Sequence, residues 1–280
     1  MNLRPLEESD KEALLDLQPP GWRDIVPVFE WYVRAPFCVP IGAFDGKTLT
    51  GAGSAILFKS TAWLGHIIVH PEWRRQGVAT TVITRLLEQI EIAGIPGVCL
   101  VATDDGKALY ERFGFTEICA YDVFERDAPR AQHGRPEFSS NRTGPATDVF
   151  PGVAAAAAPD YEEILRLDQR ISGEDRLELL RLHLATSRIV RSEGSVCAAF
   201  FPELGEGLLE AESEEAAAGL LPLRLRGSSR CVLPEPNRAG RALLEHQGFL
   251  RTRRGTRMHR GAGPTFRPEC LYSRIGGNLG

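Results

Sequence analysis

Apolar positions in the first 125 residues change their period several times, and each change predicts an element. Val78, Val82, Leu86 and Ile90 recur four apart, with Ile83 and Leu87 beside them. That wide stripe at helical spacing predicts an amphipathic helix. Gly94 and Pro96 end it, the glycine as a left-handed C′ residue and the proline as one that cannot continue a helix. The apolar run at 62–69 predicts a buried strand before the helix. The run at 98–102 predicts another after it, too short for a helix. Strand, loop, helix and strand over 62–102 form a crossover unit. Thr103-Asp104-Asp105-Gly106 then makes a turn with capping residues, and a short helix through 108–113 stops at Gly114. A last strand runs from Phe115 to about Glu125. Upstream, Leu3-Arg4-Pro5 predicts an edge strand, and Ser9 and Asp10 cap a helix reaching Leu17. Residues 41–44 and 49–58, joined by Asp45-Gly46, predict an antiparallel hairpin.

Beyond Glu125 the pattern is interrupted and then restarts. Residues 126–147 are polar, carry Pro and Gly throughout and have no period, which predicts an interdomain linker. Pro159 breaks the alanine run before it, and helical patterning resumes at Tyr161. Residues 241–249 (Arg-Ala-Leu-Leu-Glu-His-Gln-Gly-Phe) repeat five of the nine residues at 107–115 (Lys-Ala-Leu-Tyr-Glu-Arg-Phe-Gly-Phe). The run Cys231-Val232-Leu233-Pro234 echoes the strand before the first copy, and 160–167 echoes 10–17. A repeat this long predicts duplicated domains rather than a solenoid. The expected organisation is an α+β chain with one domain at 1–126, a linker at 127–147 and a second domain at 148–280.

The chemistry is concentrated between the first crossover strand and its helix. Residues 69–80 read Val-His-Pro-Glu-Trp-Arg-Arg-Gln-Gly-Val-Ala-Thr. In Arg74-x-x-Gly77-x-Ala79 the small residues let backbone come close to a ligand, and they open a helix whose first N–H groups point outward with partial positive charge. Arg74 and Arg75 add charge suited to phosphate. The loop lacks the Gly-Lys-Ser/Thr end of a P-loop. It also lacks Gly-x-Gly-x-x-Gly with an acidic residue about 20 positions on, so it is not a dinucleotide fingerprint.

This loop resembles the acyl-CoA loop of the GNAT N-acetyltransferase superfamily, Arg/Gln-x-x-Gly-x-Gly/Ala after a strand. A second hallmark of that family, a tyrosine followed four residues later by Gly-Phe, is matched by Tyr110, Gly114 and Phe115. The resemblance covers about residues 1–125. It implies a mixed, mostly antiparallel sheet splayed at the acyl-CoA site, with acetyl-CoA (coenzyme A) as co-substrate and no metal. It further implies that backbone groups of Ile67, Ile68 and Val69 bond the pantetheine arm, and that the pyrophosphate sits on Arg74, Arg75, Gln76, Gly77, Val78, Ala79 and Thr80. Thr103, Ala108 and Tyr110 complete the cofactor side. Tyr110 is the implied general acid for the departing sulfur. His66, on the motif strand, is the candidate base. Strict alternation puts it on the face of Leu64 and Ile68 unless a bulge intervenes. The aromatic stretch at 21–32, with Asp24 and Glu30, is either a wall of the acceptor site or an amphipathic helix with Phe29 and Tyr32 in the core.

The second copy departs where chemistry is needed. Leu244 stands where Tyr110 stands in the first. Residues 204–221 hold no Arg-x-x-Gly-x-Gly/Ala, and their carboxylates would repel pyrophosphate. Residues 148–280 are therefore read as a degenerate GNAT-like domain, and the ending Arg257-Met258-His259-Arg260-Gly261, then Leu271-Tyr272-Ser273 and Gly280, resembles the C-terminal domain of the two-domain bacterial YitH-like acetyltransferases. Composition adds exclusions. A net charge of -4 over 280 residues disfavours nucleic acid, and 43% hydrophobic with 25% charged residues is ordinary for a soluble protein. No apolar run approaches a membrane span, and the first residues lack a signal-peptide core. The six cysteines are scattered, without the close pairs of a zinc or redox site. The expectation is a cytoplasmic monomer or homodimer that moves an acetyl group to a small-molecule, peptide or protein amine by direct attack in a ternary complex. The competing expectation is a non-catalytic acyl-CoA-responsive or scaffold protein built of two GNAT-like domains. A third is a tandem synthase of the mycothiol synthase type, with its acceptor between the domains.

Overall fold

The computed structural model describes residues 1–126 and 152–279; the expected linker at 127–147 lies outside them. In the first half, β1 (Asn2–Pro5) is an edge strand on β2 (Cys38–Asp45), after the short helices α1 (Lys11–Leu15) and α2 (Val26–Arg34). β2 pairs antiparallel with β3 (Thr48–Leu57), and β3 with β4 (Thr61–Val69). Then come α3 (Val78–Ile92), β5 (Gly97–Ala102), α4 (Asp104–Arg112) and β6 (Thr116–Glu125). The second half runs β7 (Val153–Ala155), α5 (Tyr161–Ser172), α6 (Leu177–Arg181), β8 (Arg188–Ser192), β9 (Ser195–Phe201), β10 (Leu208–Ala211), α7 (Glu214–Leu225), β11 (Arg230–Pro234), α8 (Arg238–His246), β12 (Leu250–Gly261) and β13 (Leu271–Ser273).

The predicted periods give these elements for the predicted reasons. α3 buries Val78, Val82, Ile83, Leu86 and Ile90, each worth about 1.5–3 kcal/mol of apolar transfer, and Gly94 after it is left-handed. Gly114 and Gly248 are left-handed after α4 and α8, so the repeated Gly-Phe marks the same helix stop in both halves. Helix α1 begins directly after a 3₁₀ turn at residues 8–10, tied by Asp10 to the Glu7 amide, and stops at Leu15, two residues short of the expected Leu17.

The sheets do not divide where the repeat divides. One sheet has eight strands in the order β1-β2-β3-β4-β5-β12-β6-β11, and the other has five in the order β13-β10-β9-β8-β7. β12, from the second half, lies between β5 and β6 of the first, antiparallel to both. β6, from the first half, lies between β11 and β12 of the second. Each half thus places its last long strand in the other's sheet. The order β5-β12-β6-β11 maps onto itself when the halves are exchanged, a pseudo-twofold arrangement.

The cores follow the same symmetry. One packs α3 on β2–β5 and includes Met258 from β12. Its counterpart packs α7 and α8 on β9–β11 and includes Phe124 from β6. The third lies between the halves, where Phe29 and Trp63 meet Ile164, Leu167, Phe201 and Leu279. Inside this shared core Glu174 accepts hydrogen bonds from Trp63 Nε1 at 2.6 Å and from Arg257 at 2.8 Å, with all three side chains buried. The Arg257 guanidinium also covers the Phe266 ring at 3.9 Å and the Trp63 ring at 4.8 Å. An ion pair so enclosed needs every partner it has.

Candidate functional site

β4 and β5 are parallel neighbours only at Thr61↔Gly97, Ala62↔Val98 and Trp63↔Cys99. Past Trp63 they are not paired, so the splay expected between 62–69 and 98–102 begins there. His70 N–H donates to Thr50 O across the β3 edge. Alternation then turns Ile68 toward β3 and leaves Val69 facing the open side. The Val69 carbonyl there accepts from Arg74 Nε at 3.4 Å. Of the three residues implied to hold the arm, Val69 therefore presents its backbone to the cleft, Ile68 does not, and Ile67 sits in a bulge.

That bulge changes the reading of His66. Ala52 pairs with Ile68 and Ser54 with Gly65, so His66 and Ile67 together oppose Gly53. His66 takes φ +52, a left-handed conformation that costs a non-glycine residue on the order of 1–2 kcal/mol. Gly53, opposite the bulge, makes room for the side chain of Ile67, since a Cβ there would lie 2.5 Å from Ile67 Cδ1. The extra residue moves His66 off the face of Leu64 and α3, to which strict alternation assigns it. Its ring instead meets Trp22, Phe29 and Tyr32 edge-on, at centroid distances of 6.0, 5.9 and 5.6 Å. Its Nδ1 is 2.7 Å from the Tyr32 hydroxyl, which also accepts from Asn278 Nδ2 at 2.7 Å. Burial pushes the imidazole down to about 4, so it is neutral at pH 7. Burial also raises the Tyr32 phenol well above its usual range, against the opposing Asn278 hydrogen bond.

Arg74, Arg75, Gln76 and Gly77, of the loop expected to hold the pyrophosphate, are all exposed. Gly77 is the N-cap of α3 with φ +84 and offers no capping side chain, and the first turn carries no acid. Arg75 is itself left-handed at φ +63. Gln76 anchors the loop by donating to Glu72 O at 2.8 Å. Val78 is buried and belongs to the core, while Ala79 and Thr80 lie at or near the surface. The backbone amides of this turn point outward without a side-chain partner and can take an anion. Three described non-glycine residues have positive φ: His66, Arg75 and Glu193. Glu193 sits with Gly194 in the β8–β9 hairpin turn, and the other two are at this site.

Thr103 is the N-cap of α4, exposed and without a side-chain bond to the helix, and Ala108 is exposed on α4. Tyr110, half-buried, stacks edge-on with Phe115 at 5.9 Å, and burial raises its phenol to about 12. Asp24 and Glu30 are otherwise engaged. Asp24 accepts from Val26 N–H at the start of α2, and Glu30 pairs with Lys11 at 2.8 Å. Asn278 has no local sequence signal. The trace it leaves is Gly65, where a Cβ would lie 2.6 Å from Asn278 Cβ and 2.9 Å from the Tyr32 hydroxyl.

The corresponding place in the second half has no loop. Only Glu212 and Ser213 separate β10 from α7. Ser213 caps that helix by accepting from Ala216 N–H at 3.2 Å, with Glu214 and Glu215 in the first turn. Leu244, where Tyr110 stands in the first half, is fully buried. Among the described residues no cluster of His, Cys, Asp and Glu suits a metal ion, and no helix is long and apolar enough to cross a membrane.

Residues 3–115 match the model of the acetyltransferase (GNAT) family. A candidate acetyltransferase from Pyrococcus horikoshii superposes over 100% of this chain and 95% of its own, with a TM-score of 0.78 at 21% identity. A conserved protein of unknown function from Enterococcus faecalis, put forward as an N-acyltransferase, matches over 93% of this chain and 72% of its own, with a TM-score of 0.54 at 15% identity. An N-acetyltransferase from Thermoplasma acidophilum, crystallised with coenzyme A, covers 42% of this chain and 90% of its own, with a TM-score of 0.35 at 17% identity. The first two share this chain's fold over both halves. No curated protein matches the sequence.

Proposed function

We propose, from residues 3–115 being a domain of the GNAT acetyltransferase family, that the chain is an acetyl-CoA-dependent N-acetyltransferase with one active site, in its first half. The observation that carries this reading is the pairing of an uncapped, acid-free α3 N-terminus with a β4 edge that β5 leaves open. The residues present fit coenzyme A: outward-facing amides at residues 77–80, Arg74 and Arg75 beside them, and strand backbone at Val69 on the side that β5 does not pair, its carbonyl bonded to the Arg74 side chain. Thr103 and Ala108 would border the same molecule. Bound there, acetyl-CoA supplies the acyl thioester.

The chain's own part is to position, polarise and exclude. The helix N-terminus holds negative charge at one end of the cleft. Tyr110, kept protonated by burial, offers its O–H to the departing sulfur. With a pKa near 12 it acts by hydrogen bonding to developing charge rather than as a readily ionised acid. Trp22, half exposed at 47%, and His66 border the side that an acceptor amine meets, while Phe29 and Tyr32 lie behind them in the core, the second of the two places expected for that stretch. The acceptor is a small-molecule, peptide or protein amine. The division into residues 1–126, 127–147 and 148–280 belongs to the same proposal, the last portion being the degenerate copy.

Mass spectrometry of a pooled amine library incubated with the protein and acetyl-CoA tests the activity, and an acetylated amine is expected. Calorimetric titration with coenzyme A should give one site per chain; two equivalent sites overturn the degenerate-copy reading. Gly77→Glu places a carboxylate, and a strained left-handed side chain, where the anion docks, and should abolish that binding. The scaffold reading predicts binding without any acetylated product.

A further inference from the structure

The C-terminal segment of the second half reaches the candidate site of the first. Ile275 and Leu279 are buried in the shared core, so the turn between them is anchored at both ends. Asn278 stands on that turn, against Gly65 and the Tyr32 hydroxyl. From it a chain of two short hydrogen bonds runs Asn278 Nδ2 to Tyr32 Oη to His66 Nδ1, each 2.7 Å long.

The chemistry of the three groups sets the direction of both bonds. An amide NH₂ only donates, so Tyr32 Oη accepts from Asn278. The phenol then has one proton of its own to place, and His66 Nδ1 is its partner. Nδ1 must therefore carry a lone pair, and the proton of the neutral ring resides on Nε2. We infer that Asn278 and Tyr32 are positioning residues that hold His66 in its Nε2–H tautomer, making His66 a hydrogen-bond donor at the β4 bulge, in the stretch that β5 no longer pairs, not a base for the acceptor amine. A ring so held has no lone pair to offer at Nε2. It can orient or polarise an acceptor or carbonyl oxygen, and the acceptor's proton leaves by another route. This consequence for turnover rests on the acetyltransferase reading; the tautomer itself does not.

The test uses the full chain labelled with ¹⁵N-histidine and two-bond ¹H–¹⁵N correlation spectra near neutral pH. His66 is assigned by the signal lost in a His66→Gln variant. The expected wild-type signal is that of a single neutral Nε2–H tautomer. Tyr32→Phe should convert it to a mixture of tautomers. Asn278→Asp replaces the donor by a carboxylate acceptor, so it should turn the Tyr32 proton away from His66 and raise the Nδ1–H fraction. A wild-type Nδ1–H or mixed signal overturns the inference, as does a pure Nε2–H signal that survives Tyr32→Phe. Once an acceptor is known, both variants should lower kcat about 10- to 100-fold with KM for acetyl-CoA unchanged, as expected when a positioned group is released. A chain that acetylates nothing but keeps the predicted spectra loses the proposed function alone. An active enzyme with the wrong tautomer loses only this inference.

Discussion

Replacing Glu174 by Gln tests how the two halves hold the cleft open. The Glu174 carboxylate is fully buried, with one oxygen on Arg257 and the other on Trp63 Nε1. An amide has one acceptor oxygen and one donor NH₂. Whichever way Gln turns, its NH₂ faces a donor, and the Arg257 charge stays buried without its counter-ion. Arg257 cannot escape by losing its proton, because a guanidinium stays protonated in proteins even without its counter-ion. Breaking a buried pair from one side costs about 3–5 kcal/mol, a large part of a total stability of about 5–15 kcal/mol. With a urea slope of about 2–3 kcal/mol per M, the unfolding midpoint falls by roughly 1–2 M. Tryptophan fluorescence follows the transition, since Trp63 is among the bonded groups. Adding Arg257→Met removes the stranded charge and leaves Gln free to accept from Trp63, so the double variant should recover at least half of the loss. A single variant within about 1 kcal/mol of the parent, or a double variant no more stable than the single, refutes the reasoning.

Three further outcomes follow from the geometry. Tyr110→Phe keeps the ring on Phe115 and removes the hydroxyl; turnover should fall ~10²–10⁴-fold with little change in acetyl-CoA binding, and unchanged single-turnover rates would reject the donor role. Burial alone would raise the Glu206 carboxyl, but Arg274 and Arg230 outweigh it and hold it at about 2 against an ordinary value of 4.5. Its stabilisation, about 3 kcal/mol, is therefore complete above pH 4.5 and lost as pH falls toward 2, and Glu206→Gln should flatten urea midpoints across that window. A chain cut after residue 126 lacks β12 and leaves β5 and β6 facing an empty lane, so it should not give a folded fragment that binds coenzyme A; one that is soluble and binds like the whole chain would contradict the strand exchange.

Much of the architecture could be read from local pattern because its causes are local. The α3 stripe, its Gly94 stop, the Asp45-Gly46 hairpin and the Gly-Phe ends of α4 and α8 each depend on a few adjacent residues, and each is found within a few residues of its prediction. Strand exchange is different. β6 shows the same apolar pattern whichever sheet it enters, and β12 is arginine-rich with only Leu250 and Met258 as large apolar residues, so nothing in either strand names its neighbours. At the site, the loop residues are where the motif places them, because the motif describes backbone they carry themselves. His66 is on the face it occupies only because one inserted residue resets the alternation, and a bulge has weak signals in one sequence. Gly53 and Gly65 are the two that existed, one opposite the bulge and one beneath the C-terminal turn. Asn278 lies 246 residues from Tyr32, and only the fold brings them together.

The second half lacks the loop before α3 and the tyrosine of α4, yet the opening between β4 and β5 depends on it at three points. β12 fills the lane between β5 and β6, which fixes the outer wall of the splay. Glu174, with Arg257 of β12, holds Trp63, the last β4 residue paired with β5, and so fixes where the splay begins. Asn278 bonds Tyr32 and so bears on the ring at the bulge. Meanwhile α7 has become an ordinary capped helix. Ser213 takes one of the amide protons that an anion would need, and Glu214 and Glu215 put negative charge on the same turn. A helix N-terminus can satisfy its amides with its own cap or leave them for a ligand, and it cannot do both with the same amides. α3 and α7 have taken opposite solutions within one fold. Capping α7 strengthens the half that supports the cleft and leaves α3 as the uncapped, acid-free end. An anion site at α7 would therefore require undoing the Ser213 cap as well as adding a loop, and Ser213→Gly alone should not create one.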